Sequence, residues 1–232
     1  MRWSALVRIV LIVLAVGIFS CKKDKQAEAY NEQDFKYEYF PDNKGHYVIY
    51  QVDSSVKSSF DHKITNYHYQ VKEIIESKYA DASNRPTQRV ERYYRKTASD
   101  SWSLLHVISA NRTTNSAERV EENQRIVKIK FPVKKGTRWN ANVYNTLGEL
   151  FYEITGADEA TTINGKAYDK TLTITQQNDS NLVFRKSYKE VYAYGVGLVY
   201  KEIIDLNYKI PPDTSIIKDG VTCKYNLIEY GN

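Results

Sequence analysis

The sequence predicts an all-β fold, in which a single antiparallel, strongly curved sheet forms a barrel or half-barrel; a two-sheet β-sandwich is the alternative. Three observations predict this fold. Tyrosine, which suits a pleated and half-buried surface, occurs 20 times in 232 residues, against seven phenylalanines and one methionine. Apolar side chains recur at every second position along several stretches of the chain. Short polar turns separate these stretches.

Alternation is longest in residues 64–79 and predicts a long, half-buried strand there; its odd positions carry Tyr67, Tyr69, Val71 and Ile75. Residues 127–131 alternate in the same way and end at Pro132, which cannot donate a hydrogen bond to a sheet. Two more strands are predicted over residues 188–194 and 198–208. About ten strands are expected in all.

Turn residues support the same fold. Asn164-Gly165 and Asp219-Gly220 each lie between two stretches of strand character. Such pairs favour the two-residue turns of β-hairpins, so a hairpin is predicted at each of them. Residues 116–125 have a helix-forming composition but no apolar face to bury. A charged edge strand or hairpin is therefore predicted there, with one helical turn as the alternative.

Residues 1–20 are organised like a secretory signal peptide. Arg2 and Arg8 form a short basic region, and about 11 apolar residues run up to Phe19. Crossing a bilayer takes roughly 20 apolar residues. A serine and Cys21 follow, and this arrangement resembles the lipobox of bacterial lipoproteins, although Phe19 is larger than is usual there. The alternative is an ordinary signal peptide with a chance cysteine behind it.

The resemblance to lipoproteins implies a lipid anchor. Cys21 would carry a diacylglyceryl group and begin the mature chain, so the membrane becomes a partner through the N-terminus. Residues 21–39 are then predicted to be the lipidated cysteine and a flexible tether, and residues 40–232 a single antiparallel β-domain. The implied location is the outer membrane. Residues 22–25 also resemble the surface-export signals of Bacteroidetes lipoproteins. The sequence therefore allows either location, on the periplasmic face or on the outer face of that membrane.

Charge and cysteine content exclude some classes of protein. Loss of residues 1–20 removes two arginines and no acidic residue, so the net charge falls from +5 to +3. A charge this small gives no support for a nucleic-acid partner, and none is expected. With Cys21 lipidated, Cys223 has no disulfide partner within the chain. Its strand-like setting predicts a buried structural thiol.

Two further stretches resemble a loose group of Bacteroidetes lipoproteins. One runs from Phe131-Pro132-Val133 through Gly136 to Trp139, and the other is GVGLVYK at residues 195–201. The resemblance covers most of residues 40–208 and rests on turn glycines and apolar strand residues. Some members of that group look like open-barrel lipoprotein carriers, so a carrier-like barrel is implied. The resemblance implies no particular activity.

Motifs that carry catalysis are absent from the sequence. It contains neither a G-x-S-x-G nucleophile motif nor a G-x-x-x-x-G-K-[ST] phosphate loop. The four histidines lack metal-site spacing and are expected to be solvated strand residues; they are His46, His62, His68 and His106. Three glutamates stand among arginines and are expected on a solvated face; they are Glu118, Glu121 and Glu122. No catalytic residue, metal site or cofactor is predicted, and the chain is not expected to be an enzyme.

The aromatic residues are the feature of the sequence that points most directly to a function. Their rings combine apolar area with a hydrogen-bonding tip. Eight of them could line a groove that stacks on sugars or holds acyl chains: Tyr67, Tyr69, Tyr93, Tyr94, Tyr192, Tyr194, Trp102 and Trp139. The alternative is that tyrosine is simply favoured on strands.

Three functions are compatible with these features. The first is non-catalytic binding of an apolar or amphiphilic molecule at the concave face, which requires a continuous apolar cavity of several hundred Å³. The second is an accessory interaction module of an outer-membrane complex, with an envelope protein as partner. The third and least supported is a hydrolase of envelope glycans, because no acid–base pair can be identified.

Overall fold

A computed structural model describes residues 32–210 and 216–232. These residues form one antiparallel sheet, preceded by two short 3-10 helices at Glu32–Phe35 and Tyr37–Tyr39. The 12 strands of the sheet are β1 Tyr47–Lys57, β2 Ile64–Ala80, β3 Pro86–Arg95, β4 Ser103–Arg112, β5 Ser116–Glu121, β6 Gln124–Lys130, β7 Arg138–Asn140, β8 Phe151–Ile163, β9 Lys166–Ser180, β10 Phe184–Ala193, β11 Gly197–Tyr208 and β12 Ile217–Gly231.

The order of the strands shows how the sheet curves. Neighbouring strands follow the order β6-β5-β4-β3-β2-β1-β12-β11-β10-β9-β8-β7, so the two edges are consecutive strands of the chain. Hydrogen bonds join these edges: the backbone N–H of Val127 donates to the carbonyl oxygen of Ala141, and Trp139 Nε1 donates to the carbonyl oxygen of Val127, both at 2.9 Å. The sheet is thus nearly closed into a barrel. This confirms the predicted fold class and not the sandwich alternative.

Several predicted elements occur as expected. The alternating stretch at residues 64–79 lies in β2, and residues 116–125 form the hairpin of β5 and β6. Asn164-Gly165 joins β8 to β9 with φ angles of 49° and 77°, as a type I′ turn requires. The sheet has 12 strands where about ten were expected; the shortest of them, β7, has only three residues and so cannot show alternation.

The hairpin predicted at Asp219-Gly220 is wrong. Both residues lie within β12, where Gly220 pairs with Leu206 of β11. Gly220 has a φ of 138°, and a Cβ at this position would collide with the carbonyl oxygen of Asp205. The glycine therefore permits a close approach of two backbones inside the sheet and does not mark a turn.

The N-terminal 3-10 helices are part of the β-domain. Tyr39 and Phe40 are buried, and the Tyr39 hydroxyl donates a hydrogen bond to Asp158 Oδ1 at 2.8 Å. Arg112 Nη1 donates to the carbonyl oxygen of Phe40 at 3.2 Å. Residues 32–39 were predicted to belong to the tether, but Tyr39 is buried in the larger apolar cluster, and Phe35 and Tyr37 are partly buried against it. The predicted signal peptide and the remainder of the tether lie outside the described residues.

The two ends of the barrel differ. Because consecutive strands are antiparallel, the connections β1–β2, β3–β4, β5–β6, β7–β8, β9–β10 and β11–β12 share one end, which we call the hairpin end. Large apolar side chains are exposed on these connections: Phe60, Val143, Tyr144, Leu147, Leu182 and Ile210. Towards the opposite end, the larger apolar cluster packs around Tyr39 and Phe40. A smaller apolar cluster lies on β1, β2 and β9–β12.

We expect Tyr39→Ala to lower the free energy of unfolding by about 3–5 kcal/mol, because it removes a buried aromatic ring from the larger cluster. Tyr39→Phe is the matched control: it keeps the ring and removes only the hydrogen bond to Asp158, so a loss of about 1–2 kcal/mol is expected. Urea unfolding followed by circular dichroism measures both values. A Tyr39→Ala variant as stable as the wild type would show that residues 32–39 are not part of the folded domain.

Candidate functional site

The interior of the barrel contains a cavity of about 400 Å³, which we call the charged cavity. Side chains from ten of the 12 strands line it, all except β4 and β7. Four of the lining side chains are acidic and four are basic: Glu73, Glu121, Glu190, Asp205, Arg92, Arg119, Lys128 and Lys201. Five tyrosines share the walls with them: Tyr50, Tyr152, Tyr188, Tyr192 and Tyr225.

Glu73 is the centre of the ion pairs on one wall. Its Oε1 accepts hydrogen bonds from Arg92 Nε at 2.8 Å and Nη2 at 2.5 Å, and its Oε2 accepts one from Arg119 Nη1 at 3.0 Å. Glu121 Oε1 lies 3.3 Å from Arg92 Nη2 and 3.2 Å from Arg119 Nε. The register of β2 and β3 places Glu73 opposite Arg92. Three strands thus bring two arginines and two glutamates together.

Glu190 is the centre of a second group. Its Oε1 accepts a hydrogen bond from Lys128 Nζ at 2.7 Å, and its Oε2 accepts one from the Tyr192 hydroxyl at 2.7 Å. Lys201 Nζ lies 4.0 Å from Glu190 Oε1, which is too far for a hydrogen bond. Because Lys128 is on β6 and Glu190 on β10, this ion pair joins strands that are not neighbours in the sheet.

The ion pairs keep the buried glutamates ionised. Burial raises the pKa of a carboxyl group, because the charged form loses its hydration. Around Glu73 the two arginines outweigh burial and hold the pKa well below its ordinary value of 4.5. Around Glu190 the two lysines outweigh burial and lower the pKa to about 2. The arginines also lower the pKa of Glu121 against the effect of burial. All three glutamates are therefore carboxylates at neutral pH.

Some donors of the charged cavity lack an acceptor. Among the buried side-chain nitrogen and oxygen atoms of the described residues, three have no hydrogen-bond partner: Arg119 Nε, Arg119 Nη2 and Gln176 Nε2. Arg119 Nε is close to Glu121 but is not aligned for a hydrogen bond. Gln176 is only 6% exposed and also lines the cavity. A buried donor without a partner costs about 1–3 kcal/mol, so these atoms mark where an acceptor on a ligand would be stabilised.

A further buried ion pair, between Glu118 and Arg125, lies outside the charged cavity. Glu118 Oε2 accepts a hydrogen bond from Arg125 Nη1 at 2.9 Å, and Oε1 accepts one from Ser116 Oγ at 2.8 Å. Arg125 Nη1 also donates to Asn111 Oδ1 at 2.7 Å. Because both oxygens of Glu118 have partners, this network is explained by stability alone. It also corrects the expectation that Glu118 lies on a solvated face, since the residue is buried.

An apolar pocket of about 70 Å³ adjoins the charged cavity and shares four lining residues with it, Glu73, Arg119, Tyr192 and Leu198. Apolar side chains form much of its remaining wall, including those of Phe40, Ile75, Val90 and Val196. The pocket is too small to hold a ligand alone, since ligand sites occupy about 300–1,000 Å³. The expected continuous apolar cavity of several hundred Å³ is therefore wrong for the interior of the described barrel: the interior cavity that reaches this volume is lined by glutamate, arginine and lysine side chains, which removes the support for a purely apolar ligand.

The aromatic residues predicted to line a groove are not brought together. Of these eight, Tyr192 is the one that lines the charged cavity. Trp139 is buried where the edges of the sheet meet. Tyr194 lies beyond the end of β10, with its ring centroid 5.6 Å from that of Tyr39. The remaining five lie on β2, on β3 or directly before β4: Tyr67, Tyr69, Tyr93, Tyr94 and Trp102.

Four of those five aromatic side chains have local partners. The ring centroids of Tyr69 and Tyr94 are 5.4 Å apart, and the Arg95 guanidinium lies over the Trp102 ring at 4.2 Å. The Tyr93 hydroxyl donates to Glu91 Oε2 at 2.5 Å. Tyr67 is half-exposed. The predicted lipid-attachment residue, Cys21, lies outside the described residues.

Sequence reasoning missed the charged residues of the cavity. Glu73 stands between Val71 and Ile75 on the apolar side of β2, and Glu190 stands between two tyrosines on the inward side of β10. A charge on the buried side of a strand is rarely tolerated without a partner. These two interruptions of the apolar pattern are the signal by which the interior ion pairs could have been found.

His46 and Cys223 are both at least partly buried in the folded domain. His46 is buried and not solvated as expected, because its ring nitrogens hydrogen-bond to Asn232 Oδ1 at 2.8 Å and to the carbonyl oxygen of Val196 at 3.0 Å. Cys223 is half-buried on β12, and burial raises the pKa of its thiol. Within the described ranges, no three His, Cys, Asp or Glu residues are arranged to hold a metal ion. The helices of this part of the chain are all too short or too polar to cross a bilayer.

No family model matches this sequence, and no curated protein matches it. Two solved structures resemble it. One is a Bacteroides fragilis protein described as exported and as having a YmcC-like fold, with 11% identity, a TM-score of 0.43 and coverage of 83% of this chain and 98% of that one. The other is a Parabacteroides distasonis protein described as a lipoprotein, with 11% identity, a TM-score of 0.39 and the same coverage. At this identity and at TM-scores below 0.5, nothing about this chain is inferred from either structure.

We expect the stability contributed by Glu190 to disappear in acid. Because folding lowers its pKa from 4.5 to about 2, the ionised carboxylate stabilises the fold above pH 4.5, and this contribution is lost as the pH falls towards 2. The lowering corresponds to about 3 kcal/mol. The difference in unfolding free energy between the wild type and Glu190→Gln should shrink by about that amount over this range, in urea unfolding at a series of pH values.

Glu153→Gln is the matched control for this measurement. It removes one carboxylate from an exposed position on β8 and leaves the interior ion pairs intact. If the effect of Glu190→Gln depended on pH no more than that of Glu153→Gln, the Glu190–Lys128 ion pair would not contribute to folding.

Proposed function

We propose that this chain is a non-catalytic, lipid-anchored protein of the bacterial outer membrane whose β-domain binds an amphiphilic molecule. The observation that carries the proposal is the charged cavity of about 400 Å³. Its volume lies within the range of small-molecule sites, and its walls combine aromatic rings with a few polar groups, as such sites do. The unpartnered donors of Arg119 and Gln176 add groups that a ligand could engage.

An amphiphilic ligand suits this cavity better than a purely apolar one. An apolar molecule would leave the ionised side chains without hydration and would satisfy none of the unpartnered donors. The adjoining apolar pocket and the five tyrosines offer apolar contact to one part of a ligand, and the arginines and lysines offer polar contact to another. The sequence leaves open an apolar or an amphiphilic ligand, and we therefore propose the amphiphilic one.

A non-catalytic role is supported by the state of the interior carboxylates. Glycoside hydrolysis needs one carboxyl group that is protonated at working pH, which requires a raised pKa. The pKa values of Glu73, Glu121 and Glu190 are all lowered by basic neighbours. None of these three could donate a proton at neutral pH, so the hydrolase is the weakest of the three functions.

A second candidate function, an accessory module bound to an envelope protein, is favoured by one observation. Connections at the hairpin end present apolar side chains to solvent; Phe60 is 95% exposed, Ile210 78% and Leu182 70%. Exposed apolar side chains gathered on one end of a domain are typical of interaction surfaces. This candidate does not need the charged cavity, so blocking the cavity separates it from the first.

We expect a bulky side chain in the wall to block binding. Ile203 lines the charged cavity, whereas Ile204 on the same strand faces the other side of the sheet. The full-length chain in phosphatidylcholine vesicles is titrated calorimetrically with octanoate and with octanol, and empty vesicles are the blank. Ile203→Trp should weaken binding about tenfold or more, since overpacking a filled site costs about 1–3 kcal/mol, and Ile204→Trp should not. If neither probe bound the wild type, or if the two variants bound alike, the proposal would fail.

The lipid anchor has its own test, which does not involve the cavity. Cys21→Ala should move the protein from the membrane fraction to the soluble fraction and abolish labelling by radioactive palmitate, because a chain without acyl groups has no stable anchor. Cys223→Ala is the matched control, since it removes the other cysteine and should change neither result. Membrane retention of Cys21→Ala would contradict the anchor.

A further inference from the structure

We propose that the charged cavity binds an anionic group of its ligand, a carboxylate or a phosphate, through Arg119, Gln176 and Lys201. The inference rests on the proposed function, and it specifies which chemistry the ligand must carry. Three independent features of the cavity lead to it: the kind of atom that lacks a partner, the balance of charge, and the position of Lys201.

The atoms without a partner are all donors. Arg119 contributes two nitrogens and Gln176 one, and within the described residues no buried side-chain oxygen is left unpartnered. A ligand that satisfies them must therefore bring acceptors. A guanidinium edge presents two N–H groups in a fixed plane, and a carboxylate or phosphate offers two oxygens in matching geometry. A neutral hydroxyl group offers a single uncharged oxygen, which matches the two N–H groups less well than the two oxygens of a carboxylate or phosphate.

The charges that line the cavity leave an excess of basic groups. Asp205 is engaged near the hairpin end, where it accepts a hydrogen bond from the Tyr188 hydroxyl at 2.5 Å and lies 3.9 Å from Lys186 Nζ. The other lining charges are three glutamates facing two arginines and two lysines. The inner part of the cavity thus carries one more positive than negative charge. One anionic group on the ligand would balance it.

Of the four basic side chains that line the cavity, Lys201 has the weakest contact with a carboxylate. Its Nζ donates no hydrogen bond to any described residue, and the carboxylate oxygen nearest to it, Glu190 Oε1, is 4.0 Å away and already bonded to Lys128. Burial lowers the pKa of Lys201, so the charged ammonium is under-stabilised in the folded chain. Lys201, Arg119 and Gln176 all line the charged cavity.

A purely structural role does not explain this arrangement. The Glu118–Arg125 network shows that the same barrel can bury an ion pair with both carboxylate oxygens bonded. In the charged cavity Arg119 Nε, Arg119 Nη2 and Gln176 Nε2 have no hydrogen-bond acceptor, so a molecule that enters the cavity with acceptor atoms would complete their pairing. A cation is disfavoured by the basic excess, and an apolar group leaves the donors unpaired.

The test compares three eight-carbon probes on the full-length chain in phosphatidylcholine vesicles: octanoate, octyl phosphate and octanol. Wild type should bind the better of the two anions about tenfold or more tightly than octanol, since hydrogen bonds to charged groups contribute about 1.5–3 kcal/mol. The tighter of octanoate and octyl phosphate then identifies the anionic group. Lys201→Met and Gln176→Leu should each abolish most of this preference without abolishing octanol binding.

Lys189→Met is the matched control. Lys189 is on β10, next to Glu190, but its Nζ lies over the Tyr200 ring and not in the charged cavity, so the preference for anions should persist. Circular dichroism establishes that each variant is folded; if Lys201→Met is not, Gln176→Leu decides. Equal affinity for octanol and the anions, or a preference that survives in both variants, overturns the inference and leaves the proposed function standing. Binding of none of the three probes overturns both.

Discussion

The rest of this domain depends on one constraint: charged side chains placed inside the barrel must be paired, because a buried charge without a partner costs several kcal/mol. Glu73 shows how the constraint acts on the backbone. Its two oxygens are bonded to Arg92 on β3 and Arg119 on β5, so one carboxylate on β2 holds three strands in a fixed relation. The Lys128–Glu190 pair does the same for β6 and β10, on either side of the place where the sheet nearly closes.

Apolar packing and ion pairing occupy different levels of the barrel. Along β2 the inward side chain changes from Ile75, in the larger apolar cluster, to Glu73 in the charged cavity, and along β10 it changes from Tyr192 to Glu190. Every second side chain still points inward, but the inward side chains change from apolar or aromatic to charged. The next inward side chain towards the hairpin end is Val71 on β2 and Tyr188 on β10, so apolar or aromatic side chains flank the charged ones on both sides along these strands.

Local sequence features predicted the fold well and the site poorly, for physical reasons. Alternation in β2 and the Asn164-Gly165 turn depend on neighbouring residues only, so they could be recognised. Gly220 could not, because its requirement comes from the backbone of Asp205 on another strand. The same is true of Glu73: its role depends on arginines that are 19 and 46 residues away along the chain. Tyrosine content predicted strands correctly, but the rings face several surfaces and form no single groove.

The incomplete pairing in the charged cavity is informative because every other buried side-chain nitrogen and oxygen of the described residues has a hydrogen-bond partner. A domain selected only for stability would gain by replacing Gln176 with an apolar residue, since that removes an unpartnered donor and keeps the packing. Retaining Gln176 beside Arg119 and Lys201 sacrifices stability in the free protein. Under the proposed function, a ligand that supplies acceptors would restore this stability, and binding and folding would then be coupled through the same donor atoms.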